Sequence, residues 1–254
     1  MITMRLFCCV KQIIFLLLLG LTLFLVSQQA LAANAIGQMV WVKGSVQATE
    51  DNQPARTLQR RSPVYEHDTI VTGSGSGQII FTDNSTVALR EGTTFHIDQY
   101  KFTPTSPSDN KYVAGISKGG FRTITGLISK ANPEGYQVKT PVATIGVRGT
   151  EYSVFFHGQR MDFLLIKGIV IISNPAGSVE LNVAKNRVYA AVTGLNIRPV
   201  ITDQPSPVFG NQPAITNSST GTGSISNGAA GTTSSSAPPI PKGQVKAVSG
   251  FCIN

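Results

Sequence analysis

The chain has few of the residues from which catalytic and metal sites are built. Its 254 residues include 13 acids against 21 basic residues, with three histidines and three cysteines. None of His67, His96 and His157 stands at a metal-ligand spacing from another histidine or from a cysteine. The glycine-rich segment 73–77 runs into a strand-like pattern and not into a helix, which excludes a phosphate-binding loop. We expect no metal, no cofactor and no enzyme, with a carboxylate pair assembled by folding as the open catalytic alternative.

The first 32 residues have the pattern of a secretory signal peptide. Arg5 and Lys11 supply the positive charge, an apolar run covers 13–26, and small residues before Ala32 or Ala35 offer two cleavage sites. The apolar run is shorter than the ~20 residues that a membrane helix needs. We predict cleavage and export to the periplasm, without a stable membrane span after cleavage. Retention of the segment as an anchor is the alternative.

The other end of the chain is of low complexity. Residues 212–236 are dominated by Ser, Thr, Gly, Asn and Ala, so 201–254 is predicted to be a disordered tail. After signal cleavage Cys252 is the one remaining cysteine, which excludes an internal disulfide. It is either a free thiol on the tail or the site of an intermolecular bridge.

Between these ends, residues 36–200 read as a single β domain of short strands separated by turns. In the first strand, Val40 and Val42 are predicted to share one face, while Trp41 and Lys43 share the other. Trp41 and Lys43 are our candidates for partner contact, unless a loop covers the indole ring. Apolar residues at helical spacing from Phe121 to Ile128 predict one short helix.

These patterns predict an all-β fold, a compact sandwich or roll of short antiparallel strands with one short helix. No fixed-period repeat is visible, so the sequence does not predict a solenoid.

The most distinctive stretch runs from residue 136 to 154. Alternating residues begin a strand, and Pro141 then prevents a central strand from continuing straight through. Gly146 and Gly149 bracket a predicted bend, where the backbone either needs positive φ or approaches another element closely. Arg148 lies inside this bend and either braces loop carbonyls, the reading we favour, or faces a ligand.

The stretch TPVATIGVRGTEYSV, residues 140–154, resembles the signature of FecR-type domains. The segments GSV at 44–46, DTIVTG at 68–73 and FTDNS at 81–85 resemble further elements of that family in the same order. The resemblance covers about residues 36–193. The signature residues, for which it implies a structural role, are Thr140, Pro141, Gly146, Arg148, Gly149 and Thr150.

Two positions depart from the family pattern. His67 and Asn84 stand where the family usually has glycine, and asparagine is the next-best residue for a left-handed turn.

The FecR resemblance implies a role in envelope sensing or signalling. In the founding members of that family, a cytoplasmic anti-sigma segment and a membrane helix precede the FecR domain. The sequence shows no such cytoplasmic segment, and it shows no second membrane helix beyond the signal region. We therefore expect a stand-alone exported module that binds an envelope protein or a cell-wall component, and not nucleic acid. The alternative is a secreted adhesion or glycan-binding module.

Overall fold

The computed structural model describes residues 34–50 and 53–211, most of which lie in β-strands. The strands are β1 (Gly37–Lys43), β2 (Val46–Thr49), β3 (Arg56–Thr57), β4 (Pro63–Val64), β5 (Thr69–Thr72), β6 (Ser76–Phe81), β7 (Thr86–Leu89), β8 (Thr93–Lys101), β9 (Lys111–Ile124), β10 (Tyr136–Lys139), β11 (Thr144–His157), β12 (Arg160–Asn174), β13 (Gly177–Asn182), β14 (Tyr189–Val192) and β15 (Val200–Thr202). One α-helix, α1, spans Leu127–Ala131. Short 3₁₀ helices cover Pro107–Asp109, Pro133–Gly135, Val183–Lys185 and Pro207–Asn211.

All 15 strands belong to one hydrogen-bonded sheet. Strand β9 is at its centre, because its first half pairs with β8 and β10 and its second half pairs with β7 and β11. The partners of β9 change near Gly119, which has a φ of 84°. Strand β11 pairs with β10 before Gly149 and with β9 after it. Strand β12 pairs with β14 before Gly168 and with β13 after it. Long strands that change partners in this way form a single sheet that encloses one core.

Aromatic rings form a continuous column through that core. The rings of Tyr112 and Tyr136 stack with centroids 4.6 Å apart, and those of Tyr152 and Phe163 stack at 5.2 Å. The hydroxyl oxygens of Tyr136 and Tyr152 lie 3.3 Å apart and join the two stacks. Burial raises the pKa of Tyr112, Tyr136 and Tyr152 above the usual tyrosine value, so all three remain neutral at physiological pH.

The buried carboxylate of Asp83 connects this column to α1. One of its oxygens accepts hydrogen bonds from the Ser85 N–H at 3.0 Å, the Ser85 hydroxyl at 2.6 Å and the Tyr100 hydroxyl at 3.2 Å. The other accepts the Ile128 N–H at the start of α1, at 3.3 Å. Asp83 therefore fixes the β6–β7 turn, a core tyrosine and the helix at once.

The all-β prediction with one short helix is confirmed, but several details were wrong. Helix α1 starts at Leu127, while Phe121 and Ile124 lie in β9, because pairing with β7 and β11 outweighs their helical spacing. Strands β9, β11 and β12 are long, and β9 and β10 are parallel.

A bulge after Met39 shifts the register of β1. It buries Met39 and leaves Val40 and Val42 half-buried, with Val42 packed against the core.

The described structure reaches past residue 200. Strand β15 pairs with β14, and the guanidinium group of Arg90 donates a hydrogen bond to the Val208 carbonyl at 2.6 Å. The predicted signal peptide, the 212–236 segment and Cys252 lie outside the described residues. Across 34–50 and 53–211, no helix combines the length and the apolar character that a membrane span requires.

Replacing Asp83 with asparagine tests whether the carboxylate organises the fold. The amide group brings a donor to a site where four donors converge, so we expect a loss of about 2 to 3 kcal/mol in the free energy of unfolding, measured with urea. Asp98→Asn is the matched control, because among the described residues the side chain of the half-exposed Asp98 pairs with Lys139 alone, at 3.4 Å. Its loss should cost less than about 1 kcal/mol. Equal losses in the two variants would contradict the proposed role of Asp83.

Candidate functional site

The first two signature residues build the turn that joins β10 to β11. The Thr140 hydroxyl accepts the N–H groups of Val142 at 3.3 Å and Ala143 at 3.0 Å. The Thr140 N–H in turn donates to the Ala143 carbonyl at 2.8 Å. Pro141 occupies the second position of this turn, where its fixed φ is favourable and no N–H is needed. Thr140 and Pro141 therefore have local structural roles.

Gly149 and Thr150 form a bulge farther along β11. Gly149 has a φ of 61°, and the pairing of β11 with β12 shifts register between Arg148 and Glu151. The Thr150 N–H donates to the Thr125 hydroxyl at 2.8 Å, and the Thr125 N–H donates to the Thr150 carbonyl at 2.9 Å. Positive φ, one of the two predicted alternatives for this segment, is thus found at Gly149.

Gly146 differs from Gly149 in both its backbone conformation and its strand pairing. It lies in regular pairing between Gln137 of β10 and Ile171 of β12, and its φ is not positive. A Cβ atom added to Gly146 would meet no heavy atom within 4 Å. Neither backbone conformation nor packing within the described residues therefore requires a glycine at this position.

The space in front of Gly146 is a cavity of about 350 Å³. We call it the notch; its lining residues are Pro133, Glu134, Gly146, Val147, Arg148, Ile169 and Ile171. The side chains of Ile169 and Ile171 are 44% and 51% exposed on the outer face of the sheet. Two exposed isoleucines beside an open glycine form a small apolar surface at the notch.

Arg148 stands opposite Ile169 in the strand register and is exposed. Within the described residues it makes no ion pair and donates no hydrogen bond, so the bracing contacts that the sequence predicted are not seen. Its guanidinium group is available to a ligand at the rim of the notch, which was the second alternative for this residue.

Two further cations stand near Arg148. The Lys130 side chain passes Gly149, because a Cβ atom there would lie 3.7 Å from the Lys130 Cγ. Lys167 is exposed on β12, opposite Glu151. The Glu151 carboxylate accepts hydrogen bonds from Arg122 at 2.5 and 3.1 Å, and Lys167 has no ion pair among the described residues.

The other predicted contact residues lie on β1. The indole N–H of Trp41 donates to the Gln78 side-chain oxygen at 3.0 Å, and the ring is half-buried. Lys43 is exposed at the end of the same strand. Because Trp41 is held against β6, it offers a partner only part of its ring.

The buried carboxylates are engaged inside the fold. Asp68 pairs with Arg56 and accepts the Tyr65 N–H at 2.7 Å, while Asp162 pairs with Arg160 at 2.8 Å. No group of three His, Cys, Asp or Glu side chains in the described part of the chain is arranged to hold a metal ion. The notch is therefore the candidate site that the geometry supports, and it is equipped for contact by apolar and cationic groups.

Comparison with known proteins identifies the domain that contains the notch. The family model described as FecR protein matches residues 68–171, from just before β5 to Ile171 in β12. This match agrees with the family that the signature resembles, over a narrower range than the predicted 36–193. FecR domains occur in signalling and sensing proteins. A comparison with curated proteins finds no match.

Two solved structures resemble this fold in part. Both are crystal structures of a candidate anti-sigma factor from Parabacteroides distasonis, at 1.65 and 2.50 Å resolution. Each is 19% identical to this chain with a TM-score of 0.41, and each comparison covers 53% of this chain and 58% of the other. The chain therefore spans little more than half the length of these structures.

Sequence reasoning missed Ile169 and Ile171 as surface residues. The segment 169–172 is entirely apolar, so alternation could not show which side chains face the core. The sequence did contain one indication, Gly146, which lies opposite Ile171. That indication can be interpreted only when the register of β11 and β12 is known.

Valine substitutions at the two signature glycines should distinguish the glycine that the backbone conformation requires, Gly149, from the one that borders open space, Gly146. We expect Gly149→Val to lower the free energy of unfolding by about 1 to 3 kcal/mol, because a β-branched residue resists a φ of 61°. Gly146→Val should change it by less than about 0.5 kcal/mol, since the position is extended and open. Urea denaturation of both variants checks this, and a large loss in Gly146→Val would show that the glycine is needed for folding.

Proposed function

We propose that this chain is a non-catalytic, exported FecR-domain module that binds another component of the cell envelope through the notch, as a sensor or scaffold. The observation that carries the proposal is Gly146, which keeps the notch open although neither its backbone conformation nor its packing requires a glycine. A residue with a side chain would fill the space between Arg148 and Ile171.

Burial of apolar surface supplies the driving force for such a contact. Ile169 and Ile171 each leave about half of their side chains in water, and covering them releases free energy of roughly 25 cal/mol per Å² of apolar area. The backbone beneath is already paired on both sides in β11 and β12, so the surface is rigid before it binds. A preformed surface loses little conformational entropy on association.

The predicted signal peptide supports the periplasmic location in this proposal, and the match to the FecR family supports the sensing role. In this proposal the chain acts as an accessory to another envelope protein or as a scaffold on the cell wall. Export brings the notch into the compartment that contains both kinds of partner.

A photo-crosslinking residue at position 171 tests the proposal in cells that express the full chain. We expect ultraviolet-dependent adducts with an envelope component, because the side chain at 171 borders the notch. The same residue at Val71 is the matched control, since Val71 is also an exposed apolar strand residue, 41% exposed, on β5. Adding Gly146→Val should abolish the adducts formed at 171.

Several outcomes would contradict this proposal. Identical adducts from positions 171 and 71, or adducts that persist with Gly146→Val, would show that the notch is not the binding site. Adducts with glycan fragments alone would favour the adhesion or glycan-binding alternative over a protein partner. Recovery of the chain from the cytosol after cell fractionation would contradict export.

A further inference from the structure

We infer that the notch recognises an acidic protein segment carrying an apolar side chain as its anchor. This inference rests on the proposed function, because it assigns a chemical class to the partner that binds there. It has three supports: the charges around the notch, the pairing of the strands beneath it, and the charge of the other candidate occupants.

The lining of the notch contains one cation, Arg148, and one acid, Glu134, and two further exposed cations, Lys130 and Lys167, stand beside it. Arg148, Lys130 and Lys167 have no ion pair among the described residues, whereas Glu180 on the neighbouring strand is neutralised by Lys185 at 3.0 Å. Carboxylates on a partner would pair with these cations, and Arg148 can bind one of them through two parallel N–H groups.

A partner can contact the floor of the notch only through side chains. Gly146 is paired on both sides, with Gln137 and Ile171, and Ile171 is also paired with Glu180. No backbone donor or acceptor is free there to add a strand, so the partner cannot bind by extending the sheet. The volume of about 350 Å³ lies at the lower end of ligand pockets, roughly 300–1,000 Å³, and suits a large apolar side chain with its neighbours.

Other occupants fit the charges less well. A second copy of the chain would bring its own cationic rim against this one, which is unfavourable. Residues 212–254 contain Lys242 and Lys246 and no acid, so this segment does not complement the rim either. A phosphate-bearing ligand without an apolar group would leave the exposed Ile169 and Ile171 uncovered.

Selection from a random peptide library displayed on phage, with the full exported chain as bait, tests the inference. We expect enriched peptides to combine Asp or Glu with one Leu, Ile, Phe or Trp. Their affinity should fall about tenfold or more in both Arg148→Glu and Gly146→Val, and it should fall with added salt. Lys118→Glu is the matched charge reversal, on an exposed lysine of β9 that lines a different cavity, and should leave affinity unchanged.

The outcomes separate this inference from the function on which it rests. Neutral apolar peptides that lose affinity in Gly146→Val but not in Arg148→Glu would overturn the acidic class and keep the notch as the binding site. Peptides that bind Gly146→Val as well as the parent chain would count against both. Failure to enrich any acidic, apolar motif would overturn the inference, while crosslinking at position 171 decides the proposed function separately.

Discussion

The architecture depends on three glycines at which long strands change their pairing partners. Gly119, Gly149 and Gly168 have φ angles of 84°, 61° and 93°, which place them in the left-handed region. Each lies where β9, β11 or β12 leaves one neighbour for another. Gly149 and Gly168 also meet across the sheet, since a Cβ atom on Gly168 would lie 2.9 Å from the Gly149 carbonyl oxygen. These positions allow one sheet to enclose the aromatic column without ending its strands.

Against that framework, the FecR signature divides into two physical groups. Thr140, Pro141, Gly149 and Thr150 serve the backbone, through a turn and a bulge whose hydrogen bonds are satisfied locally. Gly146 and Arg148 serve neither purpose, although they lie between those residues on the same strand. Gly146 and Arg148 both face the outer side of the sheet, where the first leaves space and the second carries charge. The four residues that shape the backbone hold Gly146 and Arg148 at fixed positions. The same motif can therefore serve folding and present a binding surface.

The sequence predicted much of the backbone and little of the surface. His67 and Asn84, identified as departures from family glycines, have φ angles of 68° and 64°, so the turn geometry is retained without the glycine. Local chemistry determines such turns, and local chemistry can be read from sequence. The exposure of Ile171 depends instead on the register of β11 against β12, a long-range pairing that no local pattern encodes.

Several carboxylates of the chain are engaged within the fold and are not free to pair with the cations beside the notch. Asp68, Asp83 and Asp162 are buried within the fold, and Glu151 is bound by Arg122. Glu134 lines the notch, while Arg148, Lys130 and Lys167 at or beside it have no ion pair among the described residues. An acidic partner would supply carboxylates to these cations. The recognition of negative charge that we infer therefore rests on these cations, and the exposed isoleucines restrict that recognition to a ligand that also brings an apolar group.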